Sequence, residues 1–297
     1  MAGEPFDKLR TGPCIVVQNL WYSYNDEVTA LRGIDLEIED GDYLAVIGQN
    51  GSGKTTLVKH FNGLLKPTRG RVLVSPSFIP PTRGGDKEGL VDTADLTVGQ
   101  LAQTVGYVFQ NPDHQIFCAT TREELAFGPR NLGLSEAKVR GRVEEALARF
   151  DLGEYADRPP AMLGYGLRRK IGVAAVYSMQ PRIFILDEPT TGLDWRSTME
   201  LMELIREMHR HGHTIILVTH DMRLVTGFSQ KSLVLRDGQI LVYDDTRTVF
   251  KRSEVLRDTQ IEPPQITALA KRMVPYGMPD DVLSVEEFYA AYCGLGG

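Results

Sequence analysis

The run Gly48-Gln49-Asn50-Gly51-Ser52-Gly53-Lys54-Thr55-Thr56 constrains this chain more than any other feature. It has the spacing G-x-x-x-x-G-K-S/T and follows Tyr43 to Ile47, a short apolar run of the length of a buried strand. Backbone N–H groups of such a loop converge on phosphate oxygens, and the dipole of the following helix adds positive potential. Lys54 would reach the β- and γ-phosphates, and the Thr55 hydroxyl would sit on Mg2+. A chance glycine turn is a poor alternative, because a strand precedes the loop and a helix is expected after it.

The second constraint is IFILDEPTTGLD, from Ile183 to Asp194. Four apolar residues end in adjacent carboxylates, which strand geometry should aim differently. Asp187 would hold Mg2+ through water, and Glu188 would act as general base on an attacking water. An isolated Asp-Glu pair is usually a solvated strand end, but not after a buried strand in a chain that already has a phosphate loop.

Around these motifs the chain reads as a strand-rich nucleotide core split by a helical insert, then a C-terminal appendage. Ile15 to Tyr22 reads as a strand, and Ile34, Leu36 and Ile38 alternate with acidic residues as in a half-buried one. Thr120 to Met179 is helical in pattern, with Ser135 as N-cap of a helix whose Val139, Val143, Leu147 and Phe150 share a face. Strands return at Ile183 to Leu186 and Thr214 to Val218, flanking a helix capped by Asp194 with Leu201, Leu204, Ile205 and Met208 inward. Asp237-Gly238 predicts a type I′ hairpin. Ser75 to Gly89, rich in Pro, Gly and Ser, reads as a long surface loop. A short tail follows Asp244; Pro263-Pro264 breaks it, and Ser284 with Glu287 forms a capping box for a last helix.

The 297 residues suffice for one large α/β domain and a smaller appendage. A net charge of −6 argues against a nucleic-acid surface. The longest apolar runs are strand-sized, short of a membrane span, and the polar Met1 to Arg10 predicts no signal peptide. Cys14, Cys118 and Cys293 lack metal or redox spacing and are expected as reduced thiols. His209, His211 and His213 are read as helix C-terminal residues, with Gly212 ending the helix, rather than as metal ligands. Arg168, Arg169 and Lys170 are read as a solvated helix face.

Together the two motifs resemble the ABC ATPases. That resemblance implies an α/β P-loop NTPase fold of the ABC ATPase type: a RecA-like core, an antiparallel β subdomain, a helical subdomain and a small C-terminal appendage. The ATPase domain is expected over 14–243, its helical part over about 112–180, and the appendage over 244–297. Gln110, in YVFQNPDHQIF, matches the glutamine that links Mg2+ and water to the transport partner. His220, in LVTHD, matches the switch histidine that contacts the γ-phosphate, and Tyr24, in WYSYND, matches the aromatic that stacks on adenine. Trp21 and Tyr22 compete with Tyr24 for that role. The implied substrate and metal are ATP and Mg2+. The catalytic group is Lys54, Gln110, Glu188 and His220. Nucleotide contacts come from Tyr24, Asn50, Gly51, Ser52, Gly53, Lys54, Thr55, Thr56, Gln110, Asp187 and His220, and Mg2+ is held by Thr55, Gln110 and Asp187.

Within the family, VGYVFQNPDHQIF and ELAFGPRNLGL (Val105 to Leu134) and the double proline after Ile261 are similar to ATPases of energy-coupling-factor importers, which include the cobalt/nickel group. This implies a peripheral protein at the cytoplasmic face of the cell membrane. Its partners would be a second ATPase subunit, an integral membrane coupling subunit and a substrate-binding membrane subunit, driving uptake of a vitamin or metal ion, with no nucleic acid. Ile116 and Phe117 are expected as exposed apolar residues of the docking surface. Two other readings stay open: a soluble non-transport ABC ATPase, although no heptad run suggests the coiled coils those usually carry, and a mainly regulatory ATP-binding subunit.

The chain departs from its family at the signature, typically LSGGQ. Leu163, Gly164, Tyr165, Gly166 and Leu167 stand there, so the serine hydroxyl that would bond a γ-phosphate is missing. Such a chain is expected to be one half of an asymmetric pair, a heterodimer. Trp195 also stands where proline is usual.

Overall fold

A computed structural model of the chain describes residues 12–25, 28–76 and 89–295. Met1 to Arg10, and most of the Ser75 to Gly89 segment, lie outside the described residues.

In chain order the first elements are β1 (Pro13–Ser23), β2 (Thr29–Glu39), β3 (Tyr43–Gly48), α1 (Lys54–Phe61), β4 (Arg69–Val74) and β5 (Val91–Asp92). The short α2 (Val98–Leu101) and β6 (Val105–Val108) precede three helices, α3 (Thr121–Asn131), α4 (Glu136–Arg149) and α5 (Tyr165–Ser178). The chain then runs through β7 (Ile183–Asp187), α6 (Trp195–Arg210), β8 (Thr214–Val218), α7 (Met222–Phe228), β9 (Lys231–Arg236) and β10 (Gln239–Asp245). Four helices follow: α8 (Thr246–Lys251), α9 (Ser253–Asp258), α10 (Gln265–Met273) and α11 (Val285–Leu295).

Two sheets result. One is antiparallel in the order β2-β1-β4-β5; the other runs β10-β9-β3-β8-β7-β6 and is parallel except for its β9–β10 hairpin. Along β7, Ile183 and Ile185 join Leu44, Val46, Ile216 and Val218 in a core between the sheets, whereas Phe184 and Leu186 face the helices with Ile215 and Leu217. Both faces of these strands are covered, which is why they read as unbroken apolar runs rather than alternating ones. The helical side is filled by α3, α4, α5 and α6, where Leu201, Ile205 and Met208 are buried and Leu204 is half-buried.

The hairpin forms as expected: Asp237 and Gly238 have φ of 50° and 78°, the positive pair a type I′ turn requires. Asp194 caps α6 by accepting from Ser197 N at 2.8 Å. Ser135 stands at the N-cap of α4, but its hydroxyl makes no capping bond. The segment after Asp244 is more structured than a short tail. Its stretches of six to eleven residues are too short to show helical periodicity, yet Phe250, Leu256, Ile261 and Leu283 share a core with β3, β9 and β10. The capping box at α11 forms only in part. Ser284 Oγ accepts from Glu287 N at 3.1 Å, while the Glu287 carboxylate takes Leu283 N at 2.8 Å and pairs with Arg247.

Candidate functional site

The C-terminal ends of β3 and β7 open into a cleft of about 500 Å3, lined by Tyr24, the loop between β3 and α1, Gln110, Asp187, Glu188 and the Asp237-Gly238 turn. Ligands bind outside the carboxyl ends of parallel strands because helix starts and loop N–H groups converge there. The loop is built tightly. Gly48 has φ 151°, and a Cβ on it would lie 2.3 Å from Leu235 O, so β9 leaves no room for a side chain.

Lys54 lies under this loop and donates to the carbonyls of Gly48 and Gln49, each at 2.8 Å. Burial lowers its pKa, opposed by the nearby charges of Glu188 and Asp187. A desolvated ammonium of this kind, with only carbonyls as direct partners, suits an anion arriving from the cleft. Asn50, Gly51, Gly53, Thr55 and Thr56 line the cleft with it. Ser52 is turned inward: its hydroxyl is buried without a hydrogen-bond partner among the described residues.

Asp187 ends β7 with both carboxylate oxygens engaged. Oδ1 accepts from Thr55 Oγ1 at 3.2 Å and Oδ2 from Tyr107 OH at 2.8 Å. Burial first, and then the Asp187 charge, push the Tyr107 phenol pKa upward, so the phenol stays a donor. The next residue leaves the strand abruptly. Glu188 has φ 48°, a left-handed conformation that costs a non-glycine residue energy. Glu188 Oε1 lies 2.8 Å from His220 Nδ1, and Thr191 Oγ1 is 3.5 Å from Oε2. His220 lines a smaller neighbouring hollow of about 290 Å3 with Glu188 and Trp195, rather than the main cleft.

Among the described residues, no group of three or more His, Cys, Asp or Glu side chains could hold a metal. Thr55, Asp187 and Gln110 bring oxygen atoms to the cleft, the donor type taken by Mg2+, which needs few protein ligands and completes its shell with water and phosphate. Tyr24 is exposed at the cleft edge, with its OH 2.9 Å from Thr56 Oγ1 and its ring edge-on to Tyr22. Gln110 is exposed on the cleft wall.

Three expectations need correction. Arg169 is not solvated: it is only 1% exposed, with Nη1 donating to Phe109 O at 2.8 Å and Nη2 to Gln110 O and Tyr165 OH. These acceptors hold the guanidinium inside, and Arg168 and Lys170 remain half-exposed beside it. Ile116 is half-buried against the helical core, whereas Phe117 is 65% exposed and meets Phe127 edge-on. The three histidines bind backbone carbonyls, of Gly41, Glu207 and Pro181 respectively, but His213 lies beyond the helix end. Burial pushes the His213 pKa down to about 4, so it is neutral rather than a cation opposing the helix dipole. Trp195 gains a role sequence reasoning missed. The Arg223 guanidinium lies 4.5 Å from its ring and also pairs with Asp221, tying the loop after Glu188 to the loop of His220.

The family described as ABC transporter matches residues 31–191. A putative ABC transporter ATP-binding protein of Caldanaerobacter subterraneus subsp. tengcongensis is 43% identical over 273 residues, 92% of this chain and 45% of that relative, so the chain spans less than half its length. The energy-coupling factor transporter ATP-binding protein EcfA of Methanothermobacter thermautotrophicus is 38% identical over 276 residues, 93% of this chain and 85% of that one. Among solved structures, CbiO1 from Clostridium perfringens, part of an ABC transporter complex, matches with a TM-score of 0.69 at 35% identity, covering 87% of this chain and 98% of that one. A dimeric ATP-binding cassette in a post-hydrolysis state with ADP and Pi matches at TM-score 0.66 and 25% identity, over 78% and 98%. The likeness extends well beyond the cleft to most of the fold: this chain is an ATP-hydrolysing member of the ABC transporter family and groups there with the energy-coupling factor ATPases.

Proposed function

We propose that this chain is one ATPase subunit of an energy-coupling-factor importer, acting at the cytoplasmic face of the membrane on uptake of a vitamin or metal ion. No helix among the described residues is long and apolar enough to cross a membrane, so membrane steps belong to a coupling subunit and a substrate-binding subunit. We keep 14–243 as the ATPase domain, with 112–180 as its helical part, and 244–297 as its appendage. Phe117 supports a docking surface at the edge of that helical part. Buried Glu124 accepts the N–H groups of both Phe117 and Cys118, which holds the Phe117 ring out beside Phe127.

The observation that carries the reading is a fully furnished hydrolytic cleft in a chain whose signature lacks its hydroxyl. Lys54 and the loop N–H groups bind the phosphates of ATP, and Tyr24 takes the adenine. Thr55, Asp187 and Gln110 would hold Mg2+, which when bound offsets phosphate charge. Glu188 takes a proton from the attacking water on Oε2, while His220 orients the carboxylate through Oε1. The regulatory alternative has no use for this oriented base.

On the other face, α5 starts at Gly164 with no side-chain cap. Each ATP of an ABC pair lies between one subunit's phosphate loop and the other's signature. A heterodimer with an intact second signature therefore gives one fast site, using this Glu188, and one slow site facing LGYGL. The slow site lacks a positioned donor, a loss of about 2.7–4 kcal/mol where single oxyanion donors have been removed. The test is ATPase turnover of the chain alone, with its natural partner, and with Gly164→Ser. Nothing lies within 4 Å of a Cβ at Gly164, so the serine fits. Gly164→Ser should raise slow-site turnover at least about tenfold. An isolated chain as active as the native pair would refute the asymmetric arrangement.

A further inference from the structure

The signature position of this chain is occupied from within. The Tyr165 ring packs on the loop between β7 and α6: Gly192 has φ 81°, and a Cβ on it would lie 2.9 Å from Tyr165 Cε1, so a side chain there would push the ring away. The guanidinium groups of Arg168 and Arg169 lie 5.9 Å and 5.6 Å from the ring centroid. The Tyr165 hydroxyl accepts from Arg169 Nη2 at 3.0 Å, and Arg169 also grips the carbonyls of Phe109 and Gln110.

Arg169 is buried, and no carboxylate pairs with it among the described residues. Burial lowers its pKa; the Tyr165 hydroxyl and, more distantly, Asp187 and Glu188 oppose that. A desolvated guanidinium with neutral partners is costly for stability alone, since an apolar side chain of similar volume often does as well or better. What the planar fork supplies is geometry: it fixes carbonyls of one loop against a hydroxyl held on another. Those two loops carry Gln110 and Glu188, which line the same cleft.

We propose that Tyr165 and Arg169 are positioning residues for this chain's own hydrolytic centre. They lock the Gln110 loop against the 188–194 loop, so the signature position acts inward on the chain's own ATP. The inference rests on the family's ATPase chemistry and not on the paired arrangement above.

Tyr165→Phe tests it, because the ring still packs on Gly192 while the hydroxyl is lost. In the full assembly we expect kcat to fall about tenfold, the lower range for a hydrogen bond to a charged group. The KM for ATP should hold, the melting midpoint should fall by only a few degrees because the ring still packs, and the Mg2+ concentration for half-maximal rate should rise as Gln110 loosens. Arg169→Lys keeps the charge but not the fork, and should give the same signature more strongly. The loss must follow Glu188: it appears where this chain's Glu188 drives turnover and not in residual activity that survives Glu188→Gln. Unchanged kcat and Mg2+ dependence in Tyr165→Phe would overturn the inference. So would a loss confined to the residual activity, which would mean Tyr165 acts on the opposite subunit's ATP. The kcat and Mg2+ readouts decide the matter in any assembly with one working site, so failure of the paired arrangement is distinguishable.

Discussion

The molecule carries two glycine-started helices beside its chemistry, and they are used in opposite ways. Helix α1 begins after Gly53 and α5 after Gly164, and neither glycine has a side chain to cap the free N–H groups. At α1 the first-turn side chains, Lys54 and Thr55, line the cleft, so loop, ammonium and hydroxyl face the same space. At α5 the side chains of Tyr165 and Arg169 turn back onto the Gln110 and Gly192 loops of the same chain. A helix start is thus only a potential anion site. Where its first-turn side chains point decides whether it binds a ligand or braces its own fold.

The two helix starts should differ most at Lys54. Lys54→Ala should weaken Mg-ATP binding roughly 100-fold, the upper range for a hydrogen bond to a charged group. Arg169→Lys should leave affinity within about twofold, since Arg169 holds carbonyls rather than nucleotide. Equilibrium binding of a fluorescent nucleotide measures both, and an affinity loss at Arg169 matching that at Lys54 would put the two faces in the same role. A smaller effect separates the glycines. Gly48→Ala meets Leu235 O at 2.3 Å with φ 151° and should cost about 1–3 kcal/mol in urea unfolding. Gly164→Ala, in open space with φ −61°, should cost about 1 kcal/mol or less. Equal shifts of the two midpoints would mean that the phosphate-loop face is not the tightly built one.

The cleft was legible in the sequence wherever its parts are local. Gly48 to Thr56 and Ile183 to Asp187 announce themselves because strand, loop and helix are contiguous, and the buried strands read as apolar runs. What stayed hidden depends on partners distant in the chain. Tyr107 holds Asp187 from β6, and the only hint was a phenol within an otherwise apolar stretch, since a buried Tyr OH needs a partner. Arg169 sits in an Arg-Arg-Lys run that composition assigns to solvent, and only the packing of α5 on the Gln110 loop shows otherwise. The positive φ of Glu188 is set by the loop that follows rather than by its own preference, and so was not readable.

We propose that hydrolysis by this chain occurs on its phosphate-loop face and depends on Glu188, oriented by His220. The direct test is steady-state ATPase activity of the native assembly carrying Glu188→Gln, with Mg-ATP binding measured on the same protein. Turnover should fall at least about 100-fold, as for loss of a general base, while ATP stays bound with unchanged affinity. Turnover above half that of the unaltered assembly would remove Glu188 from the base role.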